Sequence, residues 1–228
     1  MNDLAQNLIE ELQCETVFTI PILGGIPVSE AVVVTWIIMA VLVVVSFILT
    51  RNLKVDHISK RQAVAESIVT GLMNMVQGMV GEKGKAYVPY LTTVMLYIGV
   101  SNIIGLFGFK SPTKDLRVTV ALALMSIILI EAAGIYHKGV KRWLHGFVEP
   151  VAIVTPINIL EVVTKPLSLC MRLFGNVLGA FVIMELLKMI LPVGLPVVFS
   201  LYFDIFDGLL QAYVFVFLTS LYIDEITE

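Results

Sequence analysis

Residues 31–50 contain no charged side chain. As a helix this run spans about 30 Å, the thickness of the hydrocarbon core of a bilayer. Four further runs have the same character: 87–107, which holds Ser101 and Asn102; 118–136, interrupted only by Glu131; 166–191, which carries Arg172; and 197–223. Hydrophobic residues make up 58% of the 228-residue chain and charged ones only 14%, against about a quarter charged in soluble domains. The expected fold is an all-α polytopic membrane protein with five transmembrane helices. At about 1.5 Å per residue, the last two are roughly 39 and 40 Å long and must tilt or project beyond the core, so they are expected to form a long tilted hairpin.

The organisation is an N-terminal tail over residues 1–30 and a single transmembrane domain over 31–228. The tail is acidic, with Asp3, Glu10, Glu11, Glu15 and Glu30, and Pro21, Gly24, Gly25 and Pro27 interrupt its apolar part. It is expected to hold little more than a short amphipathic helix. It has no Lys or Arg, so no cleavable signal peptide is expected. Residues 62–80 alternate at helical period. Ala65, Ile68, Val69, Leu72, Val76 and Met79 lie opposite Gln62, Glu66, Asn74 and Gln77, which predicts an amphipathic helix at the membrane surface or packed into the bundle. Pro150, Pro156 and Pro166 predict a broken helix along the interface before the fourth span, with Glu161 and Lys165 paired at i,i+4.

Loops 51–87 and 137–150 carry six and three Lys or Arg, whereas 1–30 and 108–117 carry none and three. The more basic side is cytoplasmic, which puts the N-terminus outside and the C-terminus inside. A net charge of −3 gives no basic face for nucleic acid. Cys14 and Cys170 lack metal-ligand spacing, and His57, His137 and His145 fall in basic loops, so neither a metal site nor a cofactor is expected.

Arg172 is the exceptional residue. A guanidinium near mid-membrane costs from about 2.5 to well over 10 kcal/mol, and arginine cannot escape by deprotonating. It needs a counter-charge, a watery cavity or both, and such residues mark ion pathways; snorkelling, or pairing with a buried carboxylate, is the alternative. Ser168, Gly175, Asn176 and Gly179 fall within roughly 60° of it on the helix. Gly175 and Gly179 permit close approach of another helix. Because this surface also bears the charge, a partner surface carrying a carboxylate fits it.

The run Leu167-Ser168-Leu-Cys-Met-Arg172-Leu-Phe-Gly175-Asn176-Val-Leu-Gly179 resembles the signature of subunit a of the F-type ATP synthase. The likeness extends to Leu160-Glu161, Thr164-Lys165-Pro166, Gln211-Ala-Tyr-Val-Phe, Ser101-Asn102-Ile-Ile-Gly and Ser111-Pro-Thr-Lys-Asp115-Leu-Arg-Val-Thr119. It implies a bacterial plasma-membrane subunit that conducts H⁺ or Na⁺ to a rotating c-ring, alongside b-type peripheral stalk subunits and the rest of the synthase. It also implies roles for Arg172, Asn176 and Gln211 at the ring contact, and for Asn102, Asp115 and Asp204 in an outer half-channel. Two departures bar transfer of the proton relay: Phe181 stands where many bacterial members have an acid, and Asp204 where they often have His. No GxxxxGK[ST] phosphate loop occurs, so ATP chemistry is assigned to other chains.

On the last helix Asp204, Asp207, Gly208, Gln211 and Phe215 recur at spacings of three and four. Counted from the turn near Gly194, Gln211 and Arg172 differ in depth by about 7 Å, so Gln211 is expected to hydrogen-bond or orient Arg172. Glu185 and Asp204 lie at equal depth and are expected to form an acidic vestibule, with Asn102 and Glu131 as further lining candidates. Glu185 also has Lys188 at i+3 as a local partner. The rivals are a stand-alone cation transporter or channel, and a purely structural assembly subunit. The first lacks an internal repeat, and the second leaves Arg172 unexplained.

Overall fold

The computed structural model describes residues 16–21, 26–51, 59–107, 109, 111–146, 155–190 and 194–227. The acidic segment before Thr16 with Cys14, the loop residues Lys54 and His57, Pro150, and Pro192 of the turn lie outside the described residues.

In the tail, which was expected to hold little more than a short helix, strands β1 (Thr16–Ile20) and β2 (Ile26–Ser29) pair as an antiparallel hairpin. Thr19 opposes Pro27, which a two-stranded ribbon tolerates because each strand has a free edge for the missing donor. β2 runs directly into α1 (Glu30–Thr50). Only Ala31, Val34 and Ile38 of this helix are buried, so its first turns lean on the bundle and the remainder faces outward.

Helix α2 (Lys60–Met79) is capped by the Ser59 hydroxyl, which accepts the Gln62 N–H at 3.3 Å. Val76 is fully buried while Val64, Ile68 and Val69 are exposed. The helix therefore docks at its C-terminal end and leaves an apolar face open, which combines the two expected arrangements. Helix α3 (Val88–Ile103) is flanked by 3-10 turns at Glu82–Tyr87 and Ile104–Phe107.

A further 3-10 turn, Pro112–Lys114, leads into α4 (Leu116–Lys138). Asp115 caps α4 by accepting the Arg117 N–H at 2.9 Å, and its other oxygen accepts the Ser29 hydroxyl at 2.7 Å, tying the hairpin to the bundle. Gly139, at φ +76°, ends α4 in a conformation that other residues resist, and the short α5 (Val140–Gly146) follows.

Helix α6 (Thr155–Ile190) runs through Pro166 without a break, so the interfacial segment expected before that proline is the first part of the Arg172 helix. Lys165 steadies the region by reaching Glu225 at 3.1 Å and Glu161 at 3.8 Å. The last span is compound: α7 (Leu195–Ser200), a π-helix (Leu201–Asp207) and α8 (Gly208–Thr227). Five stretches are long and apolar enough to cross a membrane: Glu30–Thr50, Gly84–Phe107, Leu116–Lys138, Thr155–Lys188 and Val198–Thr227.

Helices α3, α4 and α8 form the centre, with α6 on α4 and α2 against one end. One apolar cluster joins Ile98, Leu122, Leu169, Leu173 and Phe215; a second joins Val76, Leu91, Ile130, Val216 and Ile223. Between lipid-facing helices the hydrophobic effect is weak and close backbone approach replaces it. A Cβ on Gly208 would lie 2.8 Å from Asn102 Cβ, and one on Gly134 would lie 2.8 Å from Ile226. Gly208→Val is accordingly expected to cost about 1–3 kcal/mol by overpacking. Thermal denaturation of the detergent-solubilised protein checks this, with Leu221→Ala on the exposed face of α8 as the control that leaves the midpoint unchanged.

Candidate functional site

Two cavities flank the middle of α6. The first, about 770 Å³, opens between the α3–α4 connection, the second half of α6 and the π-helix. Asn102, Glu185, Asp204 and Asp207 line it, together with Lys114 and Phe181. Four of the polar residues expected along an ion path are thus brought together.

Their partners differ. Asn102 is engaged at both ends, its amide donating to the Gly208 carbonyl at 2.9 Å and its oxygen accepting the Thr113 hydroxyl at 2.7 Å. Asp204 accepts the Ser200 hydroxyl at 2.6 Å. Glu185 is paired with Lys188 at 2.6 Å, the local partner expected from the spacing. Asp207 has no hydrogen-bond partner among the described residues. The π-helix matters here because its turns are wider than those of an α-helix. It alters the register between Asp204 and Gln211 that a uniform α-helix would give.

Three expected placements change. Glu131 does not line this cavity. It lies fifteen residues beyond the start of α4, about 22 Å along the axis, and accepts the Trp143 indole N–H at 2.9 Å. Asp115 is buried, and both its oxygens serve as cap and hairpin tie, away from the cavity lining. Gln211 makes no hydrogen bond to Arg172. It is 4% exposed, on the stripe of α8 shared with Gly208, Ala212, Phe215 and Thr219 that packs inward.

The second cavity, about 920 Å³, lies at the other end of α4. Glu131, Lys138, Lys141, Arg142, Glu161, Lys165 and Glu225 contribute to its lining. Arg172 belongs to neither cavity. It stands exposed on α6 with Ser168, Gly175, Asn176 and Gly179, also exposed, and has no ion pair or hydrogen bond among the described residues. A Cβ at Gly175 or Gly179 would meet nothing within 4 Å, so this face is open. Phe181 is nine residues on, half a turn around the helix from Arg172, and so faces the first cavity while Arg172 faces away.

Sequence reasoning did not single out Lys114 as a site residue. Its signal was a lysine immediately before the helix-capping Asp115, in a connection between two spans. The second cavity was also missed, although the Glu161–Lys165 pair in its wall was expected.

Fold and composition define an all-α, multi-pass membrane protein with an arginine that, among the described residues, stands unpaired on an open helix face. The family is then fixed by comparison: the chain belongs to the ATP synthase A chain family, whose model matches residues 32–224. It is 35% identical to ATP synthase subunit a of Moorella thermoacetica over 203 residues, 88% of this chain and 92% of that one. It is also 35% identical to the sodium ion specific ATP synthase subunit a of Propionigenium modestum, over 87% and 74% of the two chains, and 34% identical to ATP synthase subunit a 1 of Chlorobaculum parvum, over 90% and 91%. Membership makes the chain part of the ATP synthase complex, a component in ATP synthesis and ion transport.

The open face can be tested directly. With Cys14 and Cys170 replaced by serine, a cysteine at Gly175 in the solubilised chain should react readily with a maleimide. One at Ala212, which is 1% exposed, should react at least about tenfold more slowly, because a buried thiol is inert. Equal rates would mean that the Arg172 face is covered.

Proposed function

We propose that this chain is the ion-conducting stator of a rotary ATP synthase, carrying H⁺ or Na⁺ through two offset half-channels to and from a ring of c-subunits. The observation that carries this reading is the order along α6: residues from Asn158 to Lys165 line one cavity, residues from Val177 to Lys188 line the other, and Arg172 lies between them in neither.

An ion from outside enters the cavity of Asp204, Asp207 and Glu185 and passes to a c-subunit carboxylate. It rides almost a full turn facing lipid, then leaves through the second cavity to the cytoplasm. Arg172 repels cations and so forbids a straight leak, and it holds the emptied carboxylate as it passes; Gly175 and Gly179 let the ring come close. Each charge delivers about 2.3 kcal/mol per 100 mV. The chain's N-terminus is outside and its C-terminus cytoplasmic, b-type stalk subunits hold it still, and the bacterial plasma membrane is its location. The excess of basic residues around the second cavity supports that orientation.

Arg172→Ala in the reconstituted complex is expected to abolish ion-driven ATP synthesis while ATP hydrolysis by the detached soluble head continues. Arg172→Lys is expected to be a poor substitute, because an ammonium lacks the planar fork. Full coupled synthesis in Arg172→Ala would refute the stator assignment.

Asp204 should matter more than Glu185. Among the described residues Asp204 has only the Ser200 hydroxyl, whereas Glu185 is neutralised by Lys188, and an aspartate at membrane depth without a basic partner requires hydration. Asp204→Asn is expected to slow synthesis about tenfold or more at low external ion concentration, with partial rescue as that concentration rises. Glu185→Gln should be milder. The initial rate of synthesis against external pH and Na⁺ ranks the two, and the reverse order would move the ion inlet elsewhere.

A further inference from the structure

The connection between the third and fourth spans holds cations that the chain leaves without acids. The spans Leu116–Lys138 and Thr155–Lys188 put this connection at one membrane boundary. Helix α5 does not project away from it. The Trp143 indole N–H reaches Glu131 at 2.9 Å, seven residues and about 10 Å before the end of α4. Trp143 also lies 3.2 Å from where a Cβ on Gly134 would be, so α5 is folded back along the bundle.

Its exposed surface is mixed. Val140 and Leu144, one turn apart, are 57% and 55% exposed, and Tyr136 near the end of α4 is 82% exposed. Lys141 lies about 60° round the helix from Leu144, with Arg142 next to it in sequence. Exposed apolar side chains interleaved with cations suit a helix lying in the headgroup layer. Of the acids that line the second cavity, Glu161 and Glu225 are held by Lys165, and Glu131 receives the Trp143 N–H. Lys138, Lys141 and Arg142 line the same cavity and have no acidic partner among the described residues. A lipid phosphodiester answers both features: its two free oxygens fit the guanidinium fork, and its acyl chains meet Val140, Leu144 and Tyr136. A free phosphate ion would leave those apolar groups uncovered.

We propose that Lys138, Lys141 and Arg142 form a binding site, at the rim of the second cavity, for the phosphate of an anionic phospholipid of the phosphatidylglycerol class from the surrounding membrane. A zwitterionic lipid is disfavoured, because its own ammonium offsets the phosphate and is repelled by the three cations. The site is a binding property of the α4–α5 corner and does not rest on the half-channel reading.

The intact complex in nanodiscs is labelled with photoactivatable phosphatidylglycerol or with a phosphatidylcholine analogue carrying the same group, and the adducts are mapped by peptide mass spectrometry. Residues 136–146 are expected to carry at least about tenfold more of the phosphatidylglycerol label, since each cation near an anionic headgroup contributes a factor of about five. Lys141→Gln combined with Arg142→Gln should remove that preference. Arg61→Gln, which deletes an exposed cation of α2, should leave it unchanged. Millimolar inorganic phosphate should not displace the label. Equal labelling by the two lipids overturns the proposal, as does a preference that survives the double substitution. An equal loss in Arg61→Gln would reduce the site to diffuse surface attraction, full displacement by inorganic phosphate would make it a site for a soluble anion, and absence of label from both lipids would mean that another subunit covers α5. Each of these results also overturns it. The comparison of the two lipids uses the native complex, so it decides the matter even where the double variant fails to assemble.

Discussion

The hydrogen bond from Asn102 to the Gly208 carbonyl, 2.9 Å long and buried, fixes the crossing on which the rest of the bundle depends. Through its other end Asn102 holds Thr113 at 2.7 Å, so one side chain joins α3, α8 and the turn before α4. In lipid such a bond adds modestly to stability, about 0.6 kcal/mol on average. Its larger effect is geometric. It forms only where two backbones nearly touch, and the absence of a side chain at Gly208 allows that contact. The π-helix ends at Asp207, directly before this crossing, and Gly105 leaves room for Asp204, whose Oδ1 lies 3.3 Å from where a Cβ would be. The first cavity adjoins this crossing, with Asn102 and Gly208 both in its lining.

The same packing explains why Arg172 is alone. The buried side of α6 is spent on Leu169, Cys170 and Leu173, with the Cys170 thiol 3.5 Å from the Thr119 hydroxyl of α4. A helix so committed on one side presents the opposite side to its surroundings, and that side carries Ser168, Arg172, Gly175, Asn176 and Gly179. No carboxylate of the described chain reaches it. A charge that cannot be neutralised, on a surface stripped of bulk, has no counter-charge among the described residues, and membership of the ATP synthase A chain family places the chain in a larger complex.

Much of this was legible in the sequence. The spans follow from uninterrupted apolar runs, the strongest signal a membrane chain offers, and the character of the Arg172 face follows from helical periodicity alone. What was not legible has identifiable physical causes. Prolines and glycines in the N-terminal segment read as breakers, yet a hairpin needs only a short paired ribbon, and here it is anchored from afar by Asp115. Pro166 read as a helix start, but a long membrane helix absorbs a missing donor when neighbouring groups compensate. The π-helix leaves no periodic signature in seven residues, and it altered the register assumed between Asp204 and Gln211. Glu131 was assigned by composition rather than by depth, and its bond to Trp143 places it near the opposite end of α4.

Lys114 and Arg172 are not interchangeable, and their surroundings say why. Lys114 lines a cavity, where its ammonium lies over an aromatic face and shares the lining with Asp204 and Asp207. Among the described residues Arg172 has neither ring nor acid beside it, and it lies on an open face of α6. An amine in that position could relieve the desolvation by losing its proton, since lysine shifts its pKa readily when buried. Whenever it did so, a barrier to cations based on its charge would vanish. A guanidinium holds its charge at any physiological pH. On the stator reading, the separation of the two half-channels therefore does not depend on the proton concentration that the machine itself is built to exploit, and this invariance is a property that only arginine brings to position 172.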